Sequence, residues 1–256
     1  MKKILIASDF DGTFSGDDDQ FERDAEAVRA FRRAGGVFGL VSGRNAAALN
    51  YIHTHWNIET DFLLADNGGT CHMPSGELLF AREASEYALL PLCHYLMSKG
   101  TRLIAVNRPD GTDMIFYTHS DGRIDWAPRR AFWSARKFTE VSAYFDSVEK
   151  THRVAREINA LFPRLDALPN GGCLDIVPRG SGKDVGVGQI AALFGVEKEN
   201  IYTIGDNYND LPMIVAYGGW VVEGAPDDMK EKAPCGTVRS VEEMIGRVMR
   251  AGESDV

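Results

Sequence analysis

Two carboxylates separated by a single residue follow a short apolar run near the start of the chain. The run covers residues 4–8 and ends at Asp9 and Asp11, after which Gly12 allows a sharp turn. Its β-forming residues predict a strand that is buried on both faces, as in a parallel sheet. Alternation would place both carboxylates on one side, where they repel by about 4 kcal/mol at an effective dielectric constant of about 20. The pair favours a site that binds a cation or shares a proton, against the alternative of an acidic turn.

Two more polar segments follow apolar runs that predict buried strands. Ser42-Gly43-Arg44 comes after residues 37–41, and residues 205–210, rich in carboxylates and amides, come after residues 201–204. Open parallel sheets bind ligands at the carboxyl ends of their strands. The oxygen atoms of residues 205–210 suit a hard cation, magnesium before zinc, because no His or Cys lies nearby. By itself this segment is equally typical of a capped turn, and together with the first carboxylate pair it predicts a metal site.

A glycine-rich turn precedes Lys183, which begins the next predicted helix. The turn is not a nucleotide-binding P-loop, because Val177 occupies the position of the first glycine and Asp184 follows the lysine. Most lysines are solvated surface residues, but the start of this helix returns to the sheet edge that carries the carboxylates. Ser42 lies just before a helix, where its hydroxyl and free backbone N–H groups can hold a phosphoryl oxygen or simply cap the helix.

Strands and helices alternate at both ends of the chain, which predicts βαβ units with right-handed crossovers. Between them, turn signals and alternating β runs, including a hairpin with residues 107–113 as its loop, predict an antiparallel α+β region. We therefore predict an α/β fold: a Rossmann-like parallel-sheet core, residues 1–81 and 179–256, with an inserted α+β cap domain, residues 82–178. The four cysteines lack zinc spacing and are expected to be reduced packing residues.

The composition is that of an ordinary globular protein, with 44% hydrophobic and 25% charged residues among 256. A net charge of −9 argues against nucleic acid or an anionic membrane as a partner, because both need a basic face. A small anionic substrate is compatible with that charge, since a metal or a few local cations reverse the potential inside one pocket. The first apolar run is too short for a signal peptide, and no stretch approaches the roughly 20 apolar residues that span a bilayer. We expect a cytoplasmic protein.

Taken together, these segments resemble the four motifs of haloacid-dehalogenase-type phosphatases in order and spacing. The matching residues are Asp9-Phe10-Asp11-Gly12-Thr13, Ser42-Gly43-Arg44, Lys183 and Gly205-Asp206-x-x-Asn209-Asp210. The insert resembles the cap domain of the Cof-like sugar-phosphatase branch. Phe14, Asp66 and Asn207 stand where that family usually has leucine, glutamate and glycine. None of these differences removes a catalytic group, so they bear on substrate detail rather than on reaction type.

The resemblance implies a Mg²⁺-dependent phosphatase that acts on a small phosphorylated metabolite, in particular a sugar phosphate. Asp9 would attack phosphorus to form an aspartyl-phosphate, and Asp11 would protonate the leaving oxygen and later activate water. In the family, magnesium binds the side chains of Asp9 and Asp206 and the backbone carbonyl of Asp11. Asp210 completes the metal site by holding metal-bound water or Lys183.

The resemblance also implies which residues bind the phosphate. Ser42 and Lys183 would neutralise charge on the transferring oxygens, and the cap would close over the site and select the substrate. Further candidate phosphate-binding residues are Gly12, Gly43, Arg44, Asn67 and Asn209. A basic, aromatic-rich segment of the insert is a candidate for substrate contact: His119, Trp126, Arg129, Arg130 and Trp133.

Two other functions are compatible with the same motifs. A sugar phosphomutase would hand the phosphoryl group to a sugar hydroxyl, and it would require a bisphosphate or release little phosphate. A non-catalytic sensor of phosphorylated metabolites would keep the fold without hydrolysis, which the filled catalytic positions disfavour. The sequence leaves the identity of the substrate and the oligomeric state open.

Overall fold

The structure, a computed structural model, describes residues 2–14, 18–126 and 137–253. Its elements fall into three groups along the chain. The first contains β1 (Leu5–Asp9), α1 (Asp18–Arg33), β2 (Val37–Val41), α2 (Ala46–His55), β3 (Phe62–Ala65), β4 (Thr70–His72) and β5 (Leu78–Ala81). The second contains β6 (Ala84–Ser85), α3 (Glu86–Ser98), β7 (Leu103–Arg108), β8 (Gly111–Thr118), β9 (Ile124–Trp126), β10 (Lys137–Phe138), β11 (Glu140–Tyr144), α4 (Val148–Leu161), β12 (Leu165–Asn170) and β13 (Cys173–Pro178). The third contains α5 (Lys183–Phe194), β14 (Ile201–Gly205), α6 (Leu211–Ala216), β15 (Trp220–Val222), α7 (Asp227–Lys230), β16 (Thr237–Val238) and α8 (Val241–Glu253).

The first and third groups form one sheet with the strand order β16-β15-β14-β1-β2-β3-β4-β5. Neighbours from β16 to β3 run parallel, and β4 and β5 are added antiparallel at the edge. Because β1 lies between β14 and β2, the residues that end or follow these three strands meet at one edge of the sheet. That edge carries Asp9, Ser42 and Asp206.

The side chains of β1 alternate between two hydrophobic layers. Leu5 and Ala7 belong to the layer that contains residues of α5 and α6, and Ile6 belongs to the layer that contains residues of α1 and α8. All five residues of β1 are buried, which confirms the predicted strand with both faces covered. Alternation leaves Asp9 on the same face as Leu5 and Ala7, which is the face covered by α5.

The second group forms a six-stranded antiparallel sheet with the order β12-β13-β11-β7-β8-β9. One face packs against α3 and α4 around a separate apolar cluster that includes Leu92, Ile104, Val141 and Ile158. Alternate residues of the strands line a cavity on the other face, opposite the first sheet. This arrangement confirms the predicted fold class, a parallel-sheet core with an inserted α+β cap. The exact residue limits of the two domains stay a prediction.

One local prediction is wrong, and one alternative that the sequence left open is excluded. The cap hairpin is tighter than expected, because β7 extends to Arg108 and β8 begins at Gly111, so that Asn107 lies inside a strand. At α2 the N-cap is Asn45 instead of Ser42, since the Asn45 side-chain oxygen accepts a hydrogen bond from the Ala48 N–H at 2.8 Å. In the described ranges, no helix combines the length and the apolar character needed to cross a membrane.

Candidate active site

Lys183, the first residue of α5, lies between two carboxylates. Its ammonium nitrogen is 2.8 Å from Asp9 Oδ1 and 2.5 Å from Asp210 Oδ1. The three side chains are almost completely buried, with 1% of Lys183, 1% of Asp210 and 7% of Asp9 exposed. Burial alone would lower the pKa of Lys183, but the two carboxylates outweigh it and raise the pKa above its ordinary value. Lys183 is therefore a fixed positive charge at the carboxyl end of β1.

The turn after β14 supplies two more carboxylates, Asp206 and Asp210. Asp210 Oδ2 accepts hydrogen bonds from the backbone N–H groups of Asp206 and Asn207, at 3.2 and 3.1 Å. Asp206 Oδ1 accepts a hydrogen bond from Thr13 Oγ1 at 3.1 Å. Gly12 permits this approach, because its φ is +81° and a Cβ atom there would lie 2.5 Å from Asp206 Oδ2. The turns after β1 and β14 are therefore in direct contact.

Asp9, Asp206 and Asp210 are placed so that they can hold a metal ion. Each offers one carboxylate oxygen, and these oxygens lie within 4.8 Å of one another. Burial, and after it repulsion from Asp210, raises the pKa of both Asp9 and Asp206. Three carboxylates lie close to the single ammonium group of Lys183, so in their ionised form they carry more negative charge than it neutralises. Hard oxygen ligands with an excess of negative charge fit Mg²⁺.

Asp11 follows β1 in an extended conformation, with φ −74° and ψ 116°, because the strand ends at Asp9. Its carboxylate forms a two-pronged ion pair with Arg44, in which the Nε–Oδ2 and Nη2–Oδ1 distances are both 2.7 Å. Both side chains are about half exposed. Strand alternation beyond Asp9 therefore does not place Asp11 in the site; the turn does, and the two carboxylates line the same cavity.

Ser42 is buried at the end of β2, where its backbone N–H donates to the carbonyl of Leu64 at 2.9 Å. Its hydroxyl oxygen accepts a hydrogen bond from the Arg44 backbone N–H at 3.1 Å. A hydroxyl that accepts in this way keeps its own proton for donation to an oxygen atom. Ser42 and Gly43 both line the cavity that contains Asp9.

Asn67, just after β3, joins the core to the cap. Its amide nitrogen donates to Glu140 Oε2 at 2.9 Å and to Asp175 Oδ2 at 3.1 Å, on cap strands β11 and β13. Its side-chain oxygen accepts a hydrogen bond from Asn209 Nδ2 at 3.2 Å. The side chains of the two predicted phosphate-binding asparagines thus bond to each other, and Asn67 also bonds to the cap; the role of both toward phosphate stays a prediction.

Three buried carboxylates, Asp66, Glu140 and Asp175, meet at this junction. Asn107 Nδ2 donates to Asp66 Oδ1 and to Glu140 Oε1, both at 3.1 Å. Burial raises the pKa of Asp66 to about 6, and burial followed by repulsion from Asp175 raises the pKa of Glu140. Among the residues that the structure describes, no Lys or Arg forms an ion pair with these three carboxylates.

A cavity of 510 Å³ lies between the two sheets and is lined by both domains. Its core side includes Asp9, Asp11, Ser42, Arg44 and Asp206, and its cap side includes Asn107, Glu140, Ser142, Tyr144 and Asp175. Sequence reasoning did not find the cap residues. A signal in the sequence could have found them, because these cap residues are polar positions that alternate with apolar ones in short strands. That alternation does not reveal which part of the molecule the polar face lies against.

The cap residues that the sequence suggested for substrate contact are a different set from the described residues that line the cavity. His119 Nε2 lies 2.6 Å from Asp125 Oδ2 near the β8–β9 turn, and neither residue is among those that line the cavity. Trp126 ends β9. Arg129, Arg130 and Trp133 lie outside the described residues.

A family model described as haloacid dehalogenase-like hydrolase matches residues 6–249. Because the match covers nearly the whole chain, the chain belongs to the haloacid dehalogenase-like hydrolases.

Similar proteins narrow this class. The 5-amino-6-(5-phospho-D-ribitylamino)uracil phosphatase YwtE of Bacillus subtilis (strain 168) is 24% identical over 261 residues, covering 89% of this chain and 90% of its own. The solved structure of BT1666 from Bacteroides thetaiotaomicron, from a study of HAD phosphatases, has a TM-score of 0.78 at 17% identity, covering 98% of this chain and 95% of its own. That of the HAD subclass IIB sugar phosphatase BT4131 has a TM-score of 0.74 at 18% identity, covering 100% and 99%. The two structures support the fold alone; with the family match and the phosphatase relative, the chain is a Cof-like HAD phosphatase.

Proposed function

We propose that this phosphatase hydrolyses the phosphomonoester of a small metabolite, a sugar phosphate, with Mg²⁺ and an aspartyl-phosphate intermediate on Asp9. The observation that carries the proposal is the convergence of Asp9, Lys183, Asp206 and Asp210 beside a cavity that both domains line. The relatives named as a phosphoribitylamino-uracil phosphatase and a sugar phosphatase support this substrate class.

The reaction proceeds in two steps. In the first, a carboxylate oxygen of Asp9 bonds to phosphorus while the bond from phosphorus to the leaving oxygen breaks, and the Asp11 carboxyl group gives its proton to that oxygen. In the second, a water oxygen attacks phosphorus, a proton of the water moves to the Asp11 carboxylate, and the Asp9 carboxylate is released with inorganic phosphate. Arg44 orients Asp11 through its two hydrogen bonds.

The remaining groups orient the reacting atoms and neutralise negative charge. Lys183 fixes the Asp9 carboxylate through the 2.8 Å contact and adds a positive charge beside it. The Ser42 hydroxyl donates to a phosphoryl oxygen. The residues that would hold Mg²⁺ are Asp9, Asp206 and Asp210 with the Asp11 carbonyl, and the bound ion would stabilise negative charge on the transferring oxygens.

Phosphate release by protein stripped with EDTA and then reloaded tests the metal. We expect activity to disappear on stripping and to return with Mg²⁺, and unchanged turnover by the metal-free protein would contradict the proposed site.

Acid quenching early in turnover, followed by mass spectrometry, tests the intermediate. A phosphoryl group on Asp9 that hydroxylamine removes is expected, and a phosphoryl group on any other residue would contradict the nucleophile. Phosphate release without added bisphosphate distinguishes the hydrolase from the mutase.

A further inference from the structure

On the cavity face of the cap sheet, polar and acidic residues occupy alternate positions of the strands. In β11 the intervening residues are buried in the cap core, so Glu140, Ser142 and Tyr144 occupy the cavity face. The strand register pairs Ser142 with Asp175 on β13, and Glu140 with Asn107 on β7. The acidic residues are therefore neighbours on one surface, and through Asn67 they adjoin the core.

Glu140 and Asp175 can accept more hydrogen bonds than they do here. A carboxylate offers about four lone-pair sites. Glu140 accepts bonds from the side chains of Asn67, Asn107 and Ser142. Asp175 accepts them from Asn67 and from the Cys173 thiol. Both residues border the cavity, but Glu140 is fully buried behind its partners and Asp175 is 5% exposed, so the free sites of Asp175 are the ones that can receive hydroxyl or ammonium groups of a bound molecule.

The described residues of the same wall include no Lys or Arg that could bind a second anion. Of the described residues that line the cavity, only Arg44 is basic; it lies on the core side and is paired with Asp11. A carboxylate or second phosphate on the leaving group would lose water beside Glu140 and Asp175, and the described residues of the wall supply no cation to replace that water. Burying an anion in that way costs several kcal/mol.

We propose that Glu140 and Asp175 determine which substrates this phosphatase takes. Asp175 accepts hydrogen bonds from a leaving group rich in hydroxyl or ammonium groups, and the two carboxylates together reject leaving groups that carry a second anionic group. The inference rests on the proposed function, because it places the leaving group of that reaction against the cap wall of the same cavity. It also disfavours a mutase, whose bisphosphate carries the second anion that this wall rejects.

Matched substrate pairs test the proposal on the wild-type enzyme with Mg²⁺. The pairs are sorbitol 6-phosphate with 6-phosphogluconate, glycerol 3-phosphate with 3-phosphoglycerate, and fructose 6-phosphate with fructose 1,6-bisphosphate. We expect kcat/KM for the better neutral members to exceed that of their anionic partners by at least about tenfold. p-Nitrophenyl phosphate reports on the chemistry itself. If it is not hydrolysed, the proposed function fails; if it is hydrolysed and no pair favours its neutral member, only the inference fails.

A comparison of glucosamine 6-phosphate with glucose 6-phosphate distinguishes ammonium donors from hydroxyl donors. An ammonium group donates hydrogen bonds and is attracted by both carboxylates, so the amino sugar is expected to react at least as well. A loss of more than about tenfold with the amino sugar would overturn the acidic wall as the selecting feature.

Variants that remove one negative charge test which residues cause the preference for neutral substrates. Glu140→Gln and Asp175→Asn keep the shape of each side chain and remove its charge, so we expect each to reduce the preference for neutral substrates by at least about threefold. Glu149→Gln is the matched control, because Glu149 is an exposed carboxylate at the start of α4, and it should leave the preference unchanged. An equal effect of all three variants would reduce the result to the general charge of the cap and overturn the assignment.

Discussion

Asp9 is the single residue on which the proposed chemistry depends most directly. In Asp9→Asn the amide oxygen can still accept the hydrogen bond from Lys183, but the side chain no longer carries the negative charge that attacks phosphorus. We expect phosphate release to fall at least about a thousandfold, with little change in the thermal unfolding temperature. Steady-state kinetics beside a thermal melt measure both, and a variant that releases phosphate at the wild-type rate would disprove the nucleophile assignment.

Lys183 is expected to matter for stability as well as for turnover. Lys183→Met leaves Asp9 and Asp210 buried without their cation, and breaking a buried pair in this way costs about 3–5 kcal/mol. Urea unfolding in EDTA measures the free energy of unfolding. Lys232→Met is the control, because its pair with Asp228 is half exposed and contributes at most about 1 kcal/mol.

A second variant separates lost charge balance from lost packing. If unpaired carboxylates are the cause, adding Asp210→Asn to Lys183→Met should recover part of the lost free energy of unfolding, because one buried charge disappears. No recovery would attribute the loss to packing alone.

At this scale the sequence was informative about the core and not about the cap. Asp9, Ser42, Lys183 and Asp206 each end or directly follow a strand or begin a helix, so element order alone brings them to one edge. Glu140 is different, because its importance depends on register and on the domain that faces its strand. Neither is encoded within a few neighbouring residues.

At the scale of elements, Asp24 shows how two helices distant in sequence are tied together. It lies on α1 and is fully buried, and its Oδ1 accepts hydrogen bonds from the Glu242 N–H of α8 at 2.7 Å and from Gln20 at 2.9 Å. Burial is the main reason why the pKa of Asp24 is raised from 3.8 to about 6. The carboxylate thus bonds to the first turn of α8 from another helix.

The raised pKa predicts a pH dependence of stability. Because the folded state holds this proton more tightly than the unfolded chain, the contribution of Asp24 to the free energy of unfolding falls as pH rises from about 4 to about 6 and is constant above that range. Asp24→Asn removes this contribution and should stabilise the protein by about 1–3 kcal/mol at pH 7, with little effect at pH 4. Urea unfolding across this pH range tests it against Glu22→Gln, an exposed change on the same helix. A difference between Asp24→Asn and wild type that does not vary with pH would refute the prediction.

The periodicity of the sequence predicts the limits of some elements and not of others. The strand at residues 37–41 matches its predicted limits, because a continuous apolar run between polar turns has few alternatives. The β7–β8 hairpin was predicted with too long a loop, since Asn107 and Thr112 look like turn residues. In the structure Thr112 Oγ1 donates to Asn107 Oδ1 at 2.8 Å across the hairpin. Contacts between strands, rather than local propensity, set this boundary.

For the whole molecule, Asn67 joins the core to the cap through hydrogen bonds to Glu140 and Asp175, and we expect these bonds to hold the cap in position. Asn67→Ala removes these donors and leaves buried carboxylate oxygens without them, at a cost of about 1–3 kcal/mol. We expect the cap to separate from the core more often. Trypsin should then cut after Arg82 or Arg179, in the two segments that connect the domains, at least about fivefold faster.

Mass spectrometry of the fragments identifies the cleavage sites, and Asn50→Ala on the exposed face of α2 serves as the control. Unchanged cleavage at both connections would mean that other contacts fix the cap, and it would remove Asn67 from that role.

The alternation of the cap strands has a practical consequence for anyone who wishes to retarget this enzyme. Residues that hold the cap together and residues that line the cavity occupy opposite sides of one sheet, so Ala105, Met114 and Tyr144 can be randomised without touching the apolar layer beneath. A small directed-evolution library at these positions would vary the shape of the accepted molecule while leaving the four phosphoryl-transfer motifs intact.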